Sequence, residues 1–251
     1  MMDDKRRFIS LSQSYSRVHA FLFEDGEGLT LVDSLADPEA TLILNAIKSL
    51  GYRPTDLKRI ILTHGHPSHV RGAATLKRLS GALVYAPIEE QDIIEGKRPS
   101  NRTTLIPQPP FRILPLQYLL NLQSILWNIG IRPSRLNVVP VEVDCPIRGD
   151  DEQIGPVTTF STPGHSPGST SFYWPDKKTL FIGDVIVTWP KFEAGWRGIT
   201  ENNPRNLDSI RRLVNTFEGR NWPVHRIASG HGDPVESEDG LGLMKSLLKN
   251  P

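Results

Sequence analysis

The sequence lacks several features that would place it outside the ordinary globular class. Its single cysteine, Cys145, excludes an internal disulfide framework. The 29 Lys and Arg residues nearly balance 28 Asp and Glu residues, which gives a net charge of +1. Without a basic excess there is no overall field to attract a polyanion, so we expect a small-molecule substrate and no nucleic-acid partner.

Long apolar runs are also missing. The charged residues 1–7 are not followed by the apolar segment of a signal peptide, and no run is long enough to cross a membrane. These absences predict a cytoplasmic protein with no membrane partner. A hydrophobic fraction of 38% suffices for a large core in 251 residues. Any metal is therefore expected to serve function rather than to hold the fold together.

Short apolar runs alternate with helical stripes through the first part of the chain. Strands are predicted at about 20–23, 29–32, 59–63 and 82–85, and helices at about 37–50 and 68–79. Asp37 and Pro38 are typical of the start of the first helix, and Gly51 is typical of its end. This order of hairpin, helix, strand, helix and strand is an α/β pattern.

Residues 97–150 interrupt the alternation. Five prolines lie between positions 99 and 115, and the apolar stretch 116–131 predicts a helix. We interpret 97–150 as an insertion or lid within a single domain of residues 1–251, because it is too short to hold its own core. A second, similar set of elements follows, with strands at 157–161, 170–174, 179–182 and 226–228 and helices at about 207–217 and 236–248.

Residues of metal-ligand type occur in short polar loops that follow or separate the predicted strands. They are His64, His66, His69, His165, Asp184 and His231. Two histidines that are two residues apart in extended chain share a face and can converge on one ion. Imidazole suits zinc, and also iron or manganese when carboxylate joins it. His19 and His225 lack such a context and are interpreted as structural.

These loops resemble the motifs of the metallo-β-lactamase superfamily. The segment T-H-G-H-P-S-H at 63–69 is similar to the signature T-H-x-H-x-D-H. His165 in T-P-G-H-S-P-G-S, Asp184 in F-I-G-D and His231 in S-G-H-G resemble its later metal motifs in the same order. Asp33 in L-V-D-S resembles the acidic residue that closes an early strand.

The resemblance implies an α+β fold, a four-layer αββα sandwich, with the site at one edge between two sheets. It also implies that His64, His66 and His165 hold one metal, that His69 and His231 hold a second, and that Asp184 bridges the two. Asp33 would support the site without being a ligand. The expected cofactor is Zn²⁺, one or two per chain, with iron or manganese as alternatives.

Ser68 departs from the family signature, which has aspartate at this position. In the family that aspartate ligates the second metal and orients the hydroxide. A serine hydroxyl is a poor neutral ligand, so we predict a normal first site and a weakened second site. The alternative interpretation is that Ser68 begins a helix and satisfies a backbone N–H. Asp184 and, as the variant position, Ser68 are the candidate catalytic residues.

The choice of substrate rests on local hints. Trp189, Phe192 and Trp196 follow Asp184 closely and are candidate substrate-binding residues. We favour a metal-bound hydroxide that attacks the carbonyl of an ester, lactone or thioester. Two alternatives stay open: a non-catalytic binding protein with a degraded second site, and an iron-dependent redox or sulfur enzyme. The apolar stretch 116–131 could cover an acyl chain or form a homodimer contact.

Overall fold

Two six-stranded sheets form the centre of the molecule. The computed structural model describes residues 8–13, 17–100, 138–196 and 199–249. The strands of the first sheet lie side by side in chain order: β1 (Phe8–Gln13), β2 (Val18–Glu24), β3 (Leu29–Val32), β4 (Leu57–Ile61), β5 (Leu83–Pro87) and β6 (Cys145–Ile147). The pairs β1–β2 and β2–β3 are antiparallel, whereas β3 to β6 run parallel.

The second sheet is built from the C-terminal half of the chain. Its strands are β7 (Gln153–Ile154), β8 (Val157–Ser161), β9 (Thr170–Trp174), β10 (Thr179–Gly183), β13 (Arg226–Ser229) and β14 (Val235–Glu236), in the spatial order β14-β13-β10-β9-β8-β7. Only the pair β10–β13 is parallel. A small hairpin of β11 (Ile186–Val187) and β12 (Glu193–Ala194) stands apart.

Helices lie on the outer faces of both sheets. They are α1 (Thr41–Ser49), α2 (Pro67–Val70), α3 (Ala73–Ser80), α4 (Gln91–Ile94), α5 (Asn203–Gly219) and α6 (Gly240–Lys249). Asn202 caps α5, since its side chain accepts a hydrogen bond from the backbone N–H of Arg205, and Pro204 lies in the first turn. None of the helices in the described ranges is long and apolar enough to cross a membrane.

The alternation of side chains along each strand separates the molecule into four layers. On β2, Ala20 and Leu22 pack with the helices of the first half, whereas Phe21 and Phe23 face the second sheet. On β10, Phe181 joins them between the sheets, and its neighbours on either side pack under α5. Three apolar layers therefore lie between four layers of structure, and the predicted α+β, αββα sandwich is confirmed.

Several predicted boundaries are corrected by the fold. The first helix begins at Thr41 rather than at Asp37, because the Asp37 side chain instead binds the backbone N–H groups of Glu39 and Thr41 in a preceding turn. The predicted helix 68–79 is two helices separated at Gly72, where an added Cβ would lie 2.4 Å from the Ser34 carbonyl oxygen. The close approach of the Ser34 backbone explains the glycine at this position.

The chain between 97 and 150 is described only at its two ends. Residues 145–147, at its C-terminal end, form strand β6 and extend the first sheet beside β5. The predicted helix at 116–131, and with it the interpretation as a lid, lies outside the described residues.

Candidate metal centre

The ends of parallel strands bring the candidate ligands to one edge of the sandwich. Asp33 follows β3 and the segment 63–69 follows β4, and these strands are parallel neighbours. Asp184 and His231 follow β10 and β13, which are parallel neighbours in the other sheet. Carboxyl ends of adjacent parallel strands meet at the same edge, so both sheets deliver polar side chains to one place.

His165 reaches the same place from the loop between the antiparallel strands β8 and β9. Its carbonyl accepts a hydrogen bond from the N–H of Glu201, and the carbonyl of Gly164 accepts one from Asn202. Gly164 has φ +142, and a Cβ there would lie 2.3 Å from the backbone N of Asn206. The start of α5 therefore packs directly on this loop and fixes its path.

Four of the candidates form one group of donor atoms, which we call the first group: His64, His66, His165 and Asp184. Nδ1 of His66 lies 3.0 Å from Nε2 of His64 and 3.0 Å from Nε2 of His165. Oδ2 of Asp184 lies 3.3 Å from Nε2 of His165 and 3.8 Å from Nε2 of His64. All four side chains are buried.

A second group shares Asp184 and adds His69 and His231. The Nε2 atoms of the two histidines are 3.3 Å apart. Oδ1 of Asp184 lies 3.5 Å from Nε2 of His69, and Oδ2 lies 3.3 Å from Nε2 of His231. The fold thus brings all six sequence-predicted candidates together, with Asp184 between the two groups.

Asp33 orients one histidine of each group. Its carboxylate only accepts hydrogen bonds, so Nδ1 of His69, 2.9 Å from Oδ2, carries a proton, and Nε2 is the nitrogen that faces Asp184 and His231. The Thr63 hydroxyl donates to the same carboxylate at 2.9 Å and accepts from Nδ1 of His64 at 2.9 Å. Outer partners of this kind fix the tautomer and direction of a metal-binding imidazole.

Thr200 is a supporting residue that the sequence analysis missed. Its Oγ1 lies 3.2 Å from Nδ1 of His165 and accepts a hydrogen bond from the N–H of Trp196 at 2.8 Å. No spacing motif marks this threonine, since it meets His165 across 35 positions of the sequence.

Charged neighbours shift the pKa values of Asp184 and His69 in the direction opposite to the effect of burial. Burial raises the pKa of Asp184, but the neighbouring His231, His69 and His165 lower it more, and the net pKa lies well below its usual value. Burial lowers the pKa of His69, but Asp184 and Asp33 outweigh it and raise the pKa to about 10. The pKa of His64 is lowered well below normal by burial and by His69 and His66.

The donor set fits a divalent cation. In both groups, buried imidazole nitrogens and the Asp184 carboxylate lie within 4.8 Å of one another, and these are donor types that zinc takes in proteins. Tetrahedral donors at the usual zinc–nitrogen distance of about 2.0–2.1 Å are roughly 3.3 Å apart. Spacings of 3.0–3.3 Å between ring nitrogens in this site match that value.

Two further observations concern the second group. Oδ1 of Asp184 is buried and has no hydrogen-bond partner in the described part of the chain. A Cβ at Gly230 would lie 2.2 Å from that oxygen and 2.8 Å from Cε1 of His69, so only glycine leaves this space free. A buried carboxylate oxygen without a donor is costly, and a cation would satisfy it.

Ser68 is buried in α2 next to His69, and its hydroxyl also has no hydrogen-bond partner among the described residues. The helix has His66 at its N-cap position and no side-chain capping bond. The interpretation of Ser68 as a residue that satisfies a backbone N–H at the helix start is therefore wrong. Ser68 therefore lies next to His69 of the second group, with no hydrogen-bond partner in the part of the chain that the structure describes.

The three aromatic candidates lie in different surroundings. The ring of Trp196 is 4.3 Å from that of His231, in an edge arrangement, and Trp189 packs on Trp196 at 6.0 Å. Phe192 packs against the apolar layer under α5 instead. The two tryptophans thus border the second group, whereas Phe192 contributes to packing in this structure.

The two histidines interpreted as structural lie outside both groups. His19 is buried, with Nδ1 2.8 Å from the Ser10 hydroxyl, and burial lowers its pKa to about 4. His225 is partly exposed, 3.9 Å from a carboxylate oxygen of Glu238.

Comparisons with known proteins agree with this fold. The family model described as the metallo-beta-lactamase superfamily matches residues 16–225. The chain therefore belongs to the metallo-beta-lactamase superfamily.

Individual relatives are distant. The chain is 24% identical over 171 residues to the probable metallo-hydrolase YybB of Bacillus subtilis strain 168, a match covering 68% of this chain and 63% of that protein. It is 28% identical over 177 residues to the hydroxyacylglutathione hydrolase of Bartonella henselae, covering 70% of this chain and 50% of that protein. Each match spans less than two thirds of the relative's own length.

Among solved structures, TTHA1623 in a di-iron-bound form matches with a TM-score of 0.63 and 23% identity. The match covers 94% of this chain and 96% of that chain. At this level of identity the likeness shows the fold.

Proposed function

We propose that this protein is a metal-dependent hydrolase that cleaves a carboxylic ester, lactone or thioester. The single observation that carries the proposal is the convergence of five buried imidazoles on the Asp184 carboxylate, with His64, His69 and His165 held from outside by Thr63, Asp33 and Thr200. In this proposal the first group, His64, His66, His165 and Asp184, holds one cation. His69, His231 and Asp184 hold a second, weaker one.

The identity of the cation is part of the proposal. Imidazole with carboxylate suits zinc, and also iron and manganese. We propose Zn²⁺, and the di-iron form of TTHA1623 makes iron the first alternative to test. The donors differ between the groups, with three imidazoles in the first and two in the second, so the first group is expected to fill first.

The residues of the chain have separate tasks in the proposed reaction. A divalent cation held here would polarise the substrate carbonyl and make an attacking water ionise near neutral pH. Asp184 would hold its carboxylate between the two groups, and its lowered pKa keeps it ionised at neutral pH. Trp196 and Trp189 would form an apolar wall beside His231 against which an acyl group could pack.

The name of one relative supports the proposed substrate class. The hydroxyacylglutathione hydrolase of Bartonella henselae acts, by its name, on an acyl group carried by glutathione. A linkage of that kind lies within the proposed class of ester, lactone and thioester carbonyls.

The two alternatives make different demands on the site. A non-catalytic binding protein would need neither the converging imidazoles nor the buried Asp33 carboxylate that orients His69, so these features favour an enzyme. Ser68 is the feature that favours the binding protein. An iron-dependent redox or sulfur enzyme would need iron at the same donors.

The test is hydrolysis of a panel of thioesters, lactones and esters by protein loaded with zinc, with manganese or with iron. Turnover that a chelator abolishes and added metal restores is expected. The variant Asp184→Asn nearly preserves the size of the side chain and removes the shared carboxylate. It should therefore lose this turnover when it is assayed beside the wild-type protein. Equal turnover by this variant, or no turnover of any panel member by any loaded form, would overturn the proposal.

A further inference from the structure

A buried carboxylate that belongs to neither donor group holds two loops of the site together. Glu90 ends the short turn Ile88–Glu90 after β5 and is 1% exposed. Its Oε2 accepts a hydrogen bond from the backbone N–H of Gly65 at 3.1 Å. Its Oε1 accepts one from the backbone N–H of Gly168 at 2.8 Å.

The two bonds lead to the two loops that supply the histidines of the first group. Gly65 lies between His64 and His66, and Gly168 lies three residues after His165 in its loop. The first loop follows β4 of the first sheet, and the second joins β8 and β9 of the second sheet. One carboxylate therefore joins the parts of the chain that must be held at a fixed separation.

The glycines allow this approach. A Cβ on Gly65 would lie 2.9 Å from Oε2 of Glu90, and a Cβ on Gly168 would lie 2.7 Å from its Cγ. Both distances are shorter than the contacts that Cβ atoms make in real structures. Glycine at both positions is what lets each backbone N–H reach the carboxylate.

A buried carboxylate is costly unless hydrogen bonds and charges offset it. Within the described ranges, Glu90 has these two backbone hydrogen bonds and no cationic side chain within 4.0 Å. An apolar side chain would fill the space without that cost, but it would leave two buried N–H groups without an acceptor. The carboxylate is the group that satisfies both, one with each oxygen.

We propose that Glu90 is a positioning residue that sets the distance between the His64–His66 loop and the His165 loop, and thereby the affinity of the first group for its cation. The inference rests on the proposed function, since it assumes that the first group binds metal. Glu90 acts on the positions of His66 and His165, and it has no direct effect on the positions of His69 and His231.

The first variant is Glu90→Gln. Glutamine keeps one acceptor but presents an NH₂ group to the other backbone N–H, so one of the two loops loses its bond. Loss of an outer partner typically costs about 10- to 100-fold in metal affinity. We expect a loss of that size in the affinity of metal-free protein for its first Co²⁺ ion, measured by competition with a chromophoric chelator. The visible spectrum of bound Co²⁺ should also change, because the donor geometry changes.

A control for the chemical change itself is Glu152→Gln. Glu152 accepts hydrogen bonds from two backbone N–H groups, those of Arg148 and Gly149, both at Oε1, in a loop that supplies no candidate ligand. This variant should keep the Co²⁺ affinity and spectrum of the wild type. The thermal midpoint of each variant, measured beside its Co²⁺ affinity, separates a general loss of stability from a change of the donor geometry.

A second variant guards against misfolding of Glu90→Gln. Gly168→Ala keeps the carboxylate but pushes a Cβ against Glu90, and we expect it also to weaken the first Co²⁺ site and alter its spectrum. Gly149→Ala, where a Cβ would have nothing within 4 Å, is its control.

The outcomes separate the inference from the proposed function. Wild-type protein that binds no Co²⁺ would contradict the proposed function itself. Wild-type binding together with unchanged affinity and spectrum in a folded Glu90→Gln, or in Gly168→Ala if the first does not fold, would overturn the role of Glu90 alone.

Discussion

The two donor groups share one carboxylate and differ in almost everything else. The first group offers three imidazole nitrogens and Asp184, whereas the second offers two imidazole nitrogens and Asp184. The second is also the side where the chain has Ser68, whose hydroxyl is buried without a partner in the described residues. The number of donors therefore favours the first group.

The hydrogen-bond partners of the outer ring nitrogens favour the second group instead. In the second group, His69 is held by the carboxylate of Asp33, and hydrogen bonds to carboxylates are the stronger kind. In the first group, His64 and His165 are held by the hydroxyls of Thr63 and Thr200. The comparison teaches that ligand number and ligand orientation vary independently, because the group with fewer imidazoles has the carboxylate as its outer partner.

Removal of the shared carboxylate is expected to have the largest effect. Asp184→Asn should weaken both groups at once and reduce metal affinity by more than the roughly 10- to 100-fold typical of outer partners. Metal retained after dialysis, measured by elemental analysis beside wild-type protein, tests this. Full retention of metal would show that Asp184 is not a ligand of either group.

Asp33→Asn should lower the metal affinity of the two groups by different amounts. The amide cannot accept with both positions, so the bond from Nδ1 of His69 or those from Thr63 are lost. We expect a loss of about 10- to 100-fold in affinity for the second ion, and a smaller loss for the first, which Asp33 reaches only through Thr63. Titration of metal-free protein with Zn²⁺ measures both. Thr200→Val, which touches the first group alone, should show the reverse order.

Ser68→Asp should reduce the difference between the groups. It restores the carboxylate of the family signature and adds a negative charge beside the second group, so affinity for the second ion should rise on the order of tenfold or more. The same titration measures the change. Ser68→Asn, which has similar size without the charge, is the control. An unchanged second step in Ser68→Asp would mean that the serine does not limit this group.

The smallest expected effect lies outside both groups, at His19. Its pKa in the fold, about 4, is below its ordinary value of 6.5, so the unfolded chain binds more protons between these values. Stability from this residue is complete above about pH 6.5 and is lost as the pH falls towards 4. In His19→Gln the thermal midpoint should therefore fall less between pH 7 and pH 5 than in the wild type.

Tyr173→Phe is a control for that pH experiment. It removes a buried hydroxyl that donates to the carbonyl of Pro223, and burial raises the pKa of this tyrosine to about 12, far from the range tested. It should lower the thermal midpoint without changing the difference between pH 7 and pH 5. A His19→Gln variant with the wild-type difference would contradict the assignment.

The sequence predicts the six candidate ligands because their signal is local. Histidines at short spacing follow a dense apolar strand, and glycines precede Asp184 and His231, so the motif and its strand context lie together. The resemblance of these motifs to the superfamily's implied the αββα layers. The short apolar run that ends β4 and the apolar stripe of α5 are likewise local, and they predicted individual elements.

Supporting residues were not predictable in this way. Glu90 meets Gly65 and Gly168 across 25 and 78 positions, and no repeat or spacing marks it. The edge strands β1 and β6 are mixed in polarity or contain proline, and they pair only because a sheet edge is available. The need for glycine at position 72 likewise depends on the Ser34 backbone, which packs against it from another part of the chain.

The most direct test of the two-group interpretation is titration of metal-free wild-type protein with Zn²⁺, with metal content per chain measured by elemental analysis. We predict two steps: one ion bound tightly by the first group, and a second bound at least about ten times more weakly. Two ions of indistinguishable affinity would contradict the predicted difference between the groups, and no bound ion would contradict the metal centre itself.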